Sequence, residues 1–274
     1  MDIRTLLIII VIFNLFLGIF ITALKQRHYK AIEYWITINF LVAAGITLIL
    51  LRGKVSDFLS IVVANSLLLS TLILRFIGYK KLIDSKITNV EKFIFSTFFI
   101  LIVAIYIIFS LWQDNMLVRM ISYNFYMFIV ALLVGLFLLK SNIRYLKKIF
   151  TLIAITFFIF SVSYLSKNIG LLLWPDYTHF LQSNFYNAFP LLLHITLDIV
   201  WTVSLLFIYA EIAMQRQKQS EERYKTLSDL TYEGIMIHKD GVIVDANLAF
   251  CRMLDYPPQE LIGKDIINMA VFVD

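Results

Sequence analysis

Seven stretches of this chain stay apolar for about twenty consecutive residues, and no other property limits its fold so sharply. A helix needs about 20 such residues to cross a hydrocarbon layer ~30 Å thick, where every backbone polar group must be bonded within the segment. The stretches cover residues 5–24, 31–51, 58–78, 93–112, 119–139, 149–172 and 189–211. They predict a mainly α fold, with a seven-helix transmembrane bundle over residues 1–211. Composition agrees: 60% of residues are hydrophobic and 16% charged, with a mean hydropathy of +0.83. The first stretch is expected to be a retained helix, because its long apolar run meets Lys25-Gln-Arg-His-Tyr-Lys30 without an Ala-x-Ala cleavage site.

Orientation follows from the basic residues. One set of alternate connections carries Lys25, Arg27, Lys30, Lys80, Lys81, Lys86, Lys92, Lys140, Arg144, Lys147 and Lys148; the other carries Arg4, Arg52, Lys54, Arg119 and Lys167. Cytoplasmic loops hold the excess of Lys and Arg, so the N-terminus is expected outside and the C-terminus in the cytoplasm. Trp112 and Trp174 then fall at the outer interface and Trp35 near the inner one. The longest outer connection, about 173–188, mixes aromatic and polar side chains and suits an interfacial segment or a lid over a pocket. The formal charge of +5 is spent at helix ends, so no nucleic-acid partner is expected.

Polar residues inside spans are costly and face the bundle interior or a cavity. Asn65, Asn124 and His194 lie in the outer halves of spans three, five and seven; Asp198 is nearer the middle, with Asn14 and Asn39 in spans one and two. His194, Asp198 and Trp201 share one helical face. The candidate ligand site is therefore His194, Asp198, Trp201, Asn65 and Asn124, in a pocket opening outward. The other reading is that these groups bond helices to one another, at ~0.6–2 kcal/mol each. Arg75, near the inner end of span three, is expected to snorkel.

No catalytic residues are predicted. The four histidines, His28, His179, His194 and His238, lie in separate segments, and the lone cysteine excludes a Cys-rich cluster, so no metal site is expected. Span seven lacks a lysine for a retinal Schiff base. Gly-x-Ser-x-Gly, paired catalytic aspartates and His-Glu-x-x-His are absent, as are the internal repeats of many transporters.

Beyond residue 211 hydrophobicity collapses. Residues 212–230 predict a linker helix, with a dimer seam through Ala210, Ala213, Gln217, Ser220, Tyr224, Leu227 and Thr231 of which three positions are polar. From residue 231 the pattern changes to Ile235-Met-Ile-His238 and Val242-Ile-Val-Asp245 around Asp240-Gly241, a hairpin signal. An Asn247-capped helix and a Pro257–Gly263 helical turn follow. Cys251 is expected to be a small buried hydrophobe.

These residues resemble the first half of a PAS domain: Glu222-Arg-Tyr-Lys-Thr-Leu, Glu233-Gly-Ile-Met-Ile, Asp240-Gly-Val-Ile-Val-Asp-Ala-Asn247-Leu-Ala-Phe and Glu260-Leu-Ile-Gly-Lys264. The resemblance implies a partial α+β domain over 231–274, truncated before its last strands, with its cofactor unknown. Glu33-Tyr-Trp35, Leu51-Arg-Gly53, Asp57-Phe-Leu-Ser60 and Ala64-Asn65 resemble the multi-helix sensor regions of bacterial signalling proteins that carry PAS, diguanylate-cyclase or histidine-kinase modules. Implied with it are a signalling input region, an output domain beyond residue 274, a homodimer through the linker and PAS part, and a small-molecule ligand besides membrane lipids. The alternative is a transporter or channel with a cytoplasmic tail.

Overall fold

The bundle is built from helices whose apolar runs are cut only where capping or turn residues intervene. The structure, a computed structural model, describes residues 2–24, 31–173 and 185–266, without the side chains of residues 24 and 185–188. It divides into two compact units, residues 1–207 and 208–274. Helices α1 (Ile3–Leu24), α2 (Ile32–Leu50), α4 (Asn89–Leu111), α5 (Met116–Lys140), α6 (Lys147–Leu173) and α7 (Phe185–Leu230) each hold a segment long and apolar enough to cross a membrane, and α3 (Ala64–Leu82) does so together with the helical residues 58–63 before it. The seven-span reading and the mainly α fold agree with this architecture. The connection at 25–30 and residues 174–184, with Trp174 and His179, lie outside the described residues.

Local chemistry sets the helix ends. Thr88 and Glu91 form a reciprocal capping box at the start of α4, and the Asn115 side chain accepts from Val118 N at the start of α5. Between α2 and α3 the chain turns through Gly53 at φ +84°. It then forms a π-helical segment, Phe58–Val63, in place of the regular first turns expected for span three. Ser60 Oγ donates to the Ser56 carbonyl at 3.3 Å, and Arg52 Nη2 donates to the Ser60 carbonyl at 3.5 Å. The Ser56 carbonyl also accepts from Ser60 N at 3.0 Å, so these side-chain donors add bonds at the start of the segment.

Packing is closest between α5 and α6, α1 and α2, and α2 and α3. An aromatic column of Trp35, Tyr79, Phe150, Phe157, Phe160 and Trp201 is fully or almost fully buried in this unit. Two glycines admit the close approaches. A Cβ on Gly78 would stand 2.6 Å from Trp35 Cζ3, and one on Gly45 3.0 Å from the Ala64 carbonyl. Large apolar side chains such as Phe16, Phe93, Ile100, Leu152 and Phe207 remain exposed. A surface of that kind suits an apolar solvent, and with the seven apolar helices it suggests a membrane protein.

In the second unit, β1 (Met236–Lys239) pairs antiparallel with β2 (Val242–Ala246). Asp240 and Gly241 between them both have positive φ, 52° and 84°, as a type I′ turn needs. Asn247 caps α8 (Leu248–Leu254) by accepting from Phe250 N. After α9 (Pro258–Leu261) the chain returns to the hairpin, with Ile243 N donating to the Lys264 carbonyl and Gly263 N to the Ile243 carbonyl. Among the described residues from β1 onward, Ile243, Ala249, Cys251 and Leu261 are the buried apolar side chains. They form a small core.

Candidate functional site

The site grows from one face of α7. His194 and Asp198 are one turn apart, and His194 Nε2 lies 3.3 Å from Asp198 Oδ2. The other Asp198 oxygen accepts a hydrogen bond from Arg75 Nη2 on α3. Arg75 and Asp198 are 3% and 2% exposed. This corrects the expectation for Arg75: its guanidinium does not reach toward the helix end but turns into the bundle, where a carboxylate compensates its charge. Trp201 forms the next layer. Its indole N–H donates to Thr156 Oγ1 at 2.8 Å, Phe157 stacks on it at 4.4 Å, and Arg75 Cζ sits 4.5 Å from its ring centroid. A buried ion pair recovers its desolvation cost only with further partners, and the indole face supplies one.

Beside this pair is a cavity of about 140 Å³, lined from the half of the bundle that holds the N-terminal end of α1. Leu7 and Ile10 of α1, Val42, Ile46 and Ile49 of α2, and Met116, Met120 and Met127 of α5 give it apolar walls. Asn65, Asn124 and His194 also line it, whereas Asp198 and Trp201 stand behind His194 and do not. The asparagines differ in state. Asn14, Asn39 and Asn65 each donate to the carbonyl four residues back in their own helix, at 2.9, 2.7 and 2.6 Å. The reading in which they tie helices together is thereby corrected for their amide donors. Among the described residues, the bonds from α6 to α5 come from Ser161 to the Phe128 carbonyl and from Asn168 to the Ile121 carbonyl. Asn124 is 3% exposed, and its Nδ2 has no hydrogen-bond partner among the described residues.

Three cations that line the cavity escaped the sequence reading: Arg52, Arg119 and Lys167. Each lies at or near a helix end on the cation-poor side of the bundle, where a tally of loop charges registers it only as a stray residue. Arg119 Nη1 donates to the Phe109 carbonyl at 2.6 Å and to Asp114 Oδ1 at 2.8 Å, and its own carbonyl accepts from Tyr106 Oη at 3.2 Å. Burial, and after it the nearby Arg119 guanidinium, pull Arg52 below its ordinary pKa, with Asp57 opposing. No Asp or Glu among the described residues lines the wall. Among the described residues no group of three or more His, Cys, Asp or Glu side chains is placed to hold a metal.

The second unit decides the family relation. Residues 222–273 match the PAS domain family. The chain is also similar to an uncharacterized signaling protein of Caulobacter vibrioides, with 33% identity over 63 residues. That stretch is 23% of this chain and 8% of the relative's length, so the chain spans a small part of the protein it matches. No solved structure matches. The PAS match and the signalling relative support a role in signal transduction, and the seven apolar helices suggest that the sensing part is membrane-embedded.

Proposed function

We propose that the chain is the input region of a bacterial inner-membrane signalling protein. Its bundle detects an extracytoplasmic or membrane stimulus, and α7 passes the result to the PAS segment and on to an output domain of the diguanylate-cyclase or histidine-kinase kind. One observation carries this reading: a single helix, Phe185–Leu230, supplies Pro190, Leu191 and His194 to the cavity and enters the PAS-matching segment at residue 222. A transporter has no need of such a connection. Tyr224 and Leu227, on the expected seam, are exposed apolar side chains, which supports a homodimer through this helix.

The test is a series of alanine insertions between Gln219 and Ser220 in the full-length protein. Each insertion rotates the downstream part of the helix by about 100°, and four restore the face to within about 40°. Cellular output at matched abundance is expected to change with one or two insertions and to return with four. Output indifferent to every insertion would sink the relay.

A further inference from the structure

The cavity is polarised from mouth to floor. Arg52 and Lys167 close the lining runs of α2 and α6, and Arg119 follows Met116 in the first turn of α5. On α5 the lining continues from Arg119 to Met127, about 12 Å deeper at 1.5 Å per residue. Below the cations the wall is largely aliphatic, and Thr71, Tyr164 and His194 lie toward the floor. Two side-chain donors of lining residues, Arg52 Nε and Asn124 Nδ2, are buried with no hydrogen-bond partner among the described residues. Arg119 already meets Asp114, whose side chain is 83% exposed, and Asp57 stands near Arg52. The volume of about 140 Å³ holds on the order of ten water-sized groups.

We propose that this cavity binds an amphipathic oxyanion, its carboxylate or phosphate head held by Arg52, Arg119 and Lys167 and its short apolar body directed toward His194. Guanidinium forks match such heads with paired, charge-assisted hydrogen bonds. Asn124 donates to an acceptor in the body. The far end of the body meets His194, which lies 3.3 Å from Asp198 Oδ2, and Asp198 is joined to Arg75. Occupancy therefore acts on the polar contact between α3 and α7, provided the ligand binds two arrangements of that contact unequally. This names the ligand class of the input site and rests on the reading above for its signalling consequence alone.

The experiment is isothermal titration of octanoate into the full-length protein in nanodiscs of zwitterionic phosphatidylcholine, with 1-octanol as the neutral control. Saturable octanoate binding is expected, with octanol weaker by about tenfold or more. Arg52→Gln and Lys167→Gln are each expected to weaken octanoate about tenfold and to leave octanol unchanged. Arg119 is spared, because its bonds to Phe109 and Asp114 join the end of α4 to the start of α5. Discs containing phosphatidylglycerol separate two sources of the same chemistry. Loss of octanoate binding there supports the site with a lipid headgroup as its occupant, and retention supports it with a free solute. No saturable binding in the zwitterionic discs, equal affinity for octanoate and octanol, or wild-type affinity in both glutamine variants would overturn the proposal. The titration needs no output and the insertion series needs no ligand, so either can fail alone.

Discussion

Asp198 has two cationic or potentially cationic neighbours, Arg75 and His194, and only Arg75 carries a fixed charge. Removing the carboxylate leaves a guanidinium in the bundle interior with no counter-charge. Asp198→Leu is expected to destabilise the protein by about 3–5 kcal/mol. Arg75→Met with Asp198→Leu should recover most of that loss, because an apolar pair has no charge to bury. Thermal unfolding of the two single variants and the double variant in one detergent reads the coupling, and strict additivity would refute the pair. His194 and Asp198 were legible in the sequence because four residues of helix separate them. Arg75 was not, because its partner lies 123 residues away and an arginine near a helix end reads equally well as snorkelling. Arg52, Arg119 and Lys167 were hidden for a related reason: each comes from a different helix end, and only packing brings them to one cavity.

Among the elements, α2 and α3 approach through Gly78, where Trp35 occupies the space that a side chain would need. Gly78→Ala should force the indole aside and lower stability by about 1–3 kcal/mol. Gly53 makes a useful contrast. It has positive φ, and a Cβ there would meet nothing within 4 Å, so Gly53→Ala incurs only backbone strain of about 1 kcal/mol. Unfolding of both variants under one set of conditions should rank them in that order. Element boundaries followed the apolar runs closely, since a span in hydrocarbon has few alternatives to a helix. The π-helical segment did not show, because no apolar periodicity reports a local change from i→i−4 to i→i−5 bonding. The hairpin was legible from Asp240-Gly241, a dipeptide suited to two successive residues at positive φ.

For the whole molecule, the proposed orientation puts the cavity on the extracytoplasmic side, since its cations belong to the cation-poor connections. In a Cys251→Ala background the chain contains no other cysteine. Single cysteines at exposed Gln113 and Lys86 should then differ toward an impermeant maleimide. Gln113→Cys should label in intact spheroplasts and Lys86→Cys only after lysis; the reverse pattern would invert the topology. At the other end of the chain, Asn247 is saturated from several directions. Its Oδ1 accepts from Ile235 N and Phe250 N, and its Nδ2 donates to the Ser228 and Glu233 carbonyls. Asp229 Oδ1 adds a bond from Leu248 N. The last turn of α7, the entry to β1 and the first turn of α8 thus share one rivet. In mechanical terms the joint is a coupling: under the proposed relay, a torque arriving at Ser228 is handed through Asn247 to the entry of the hairpin.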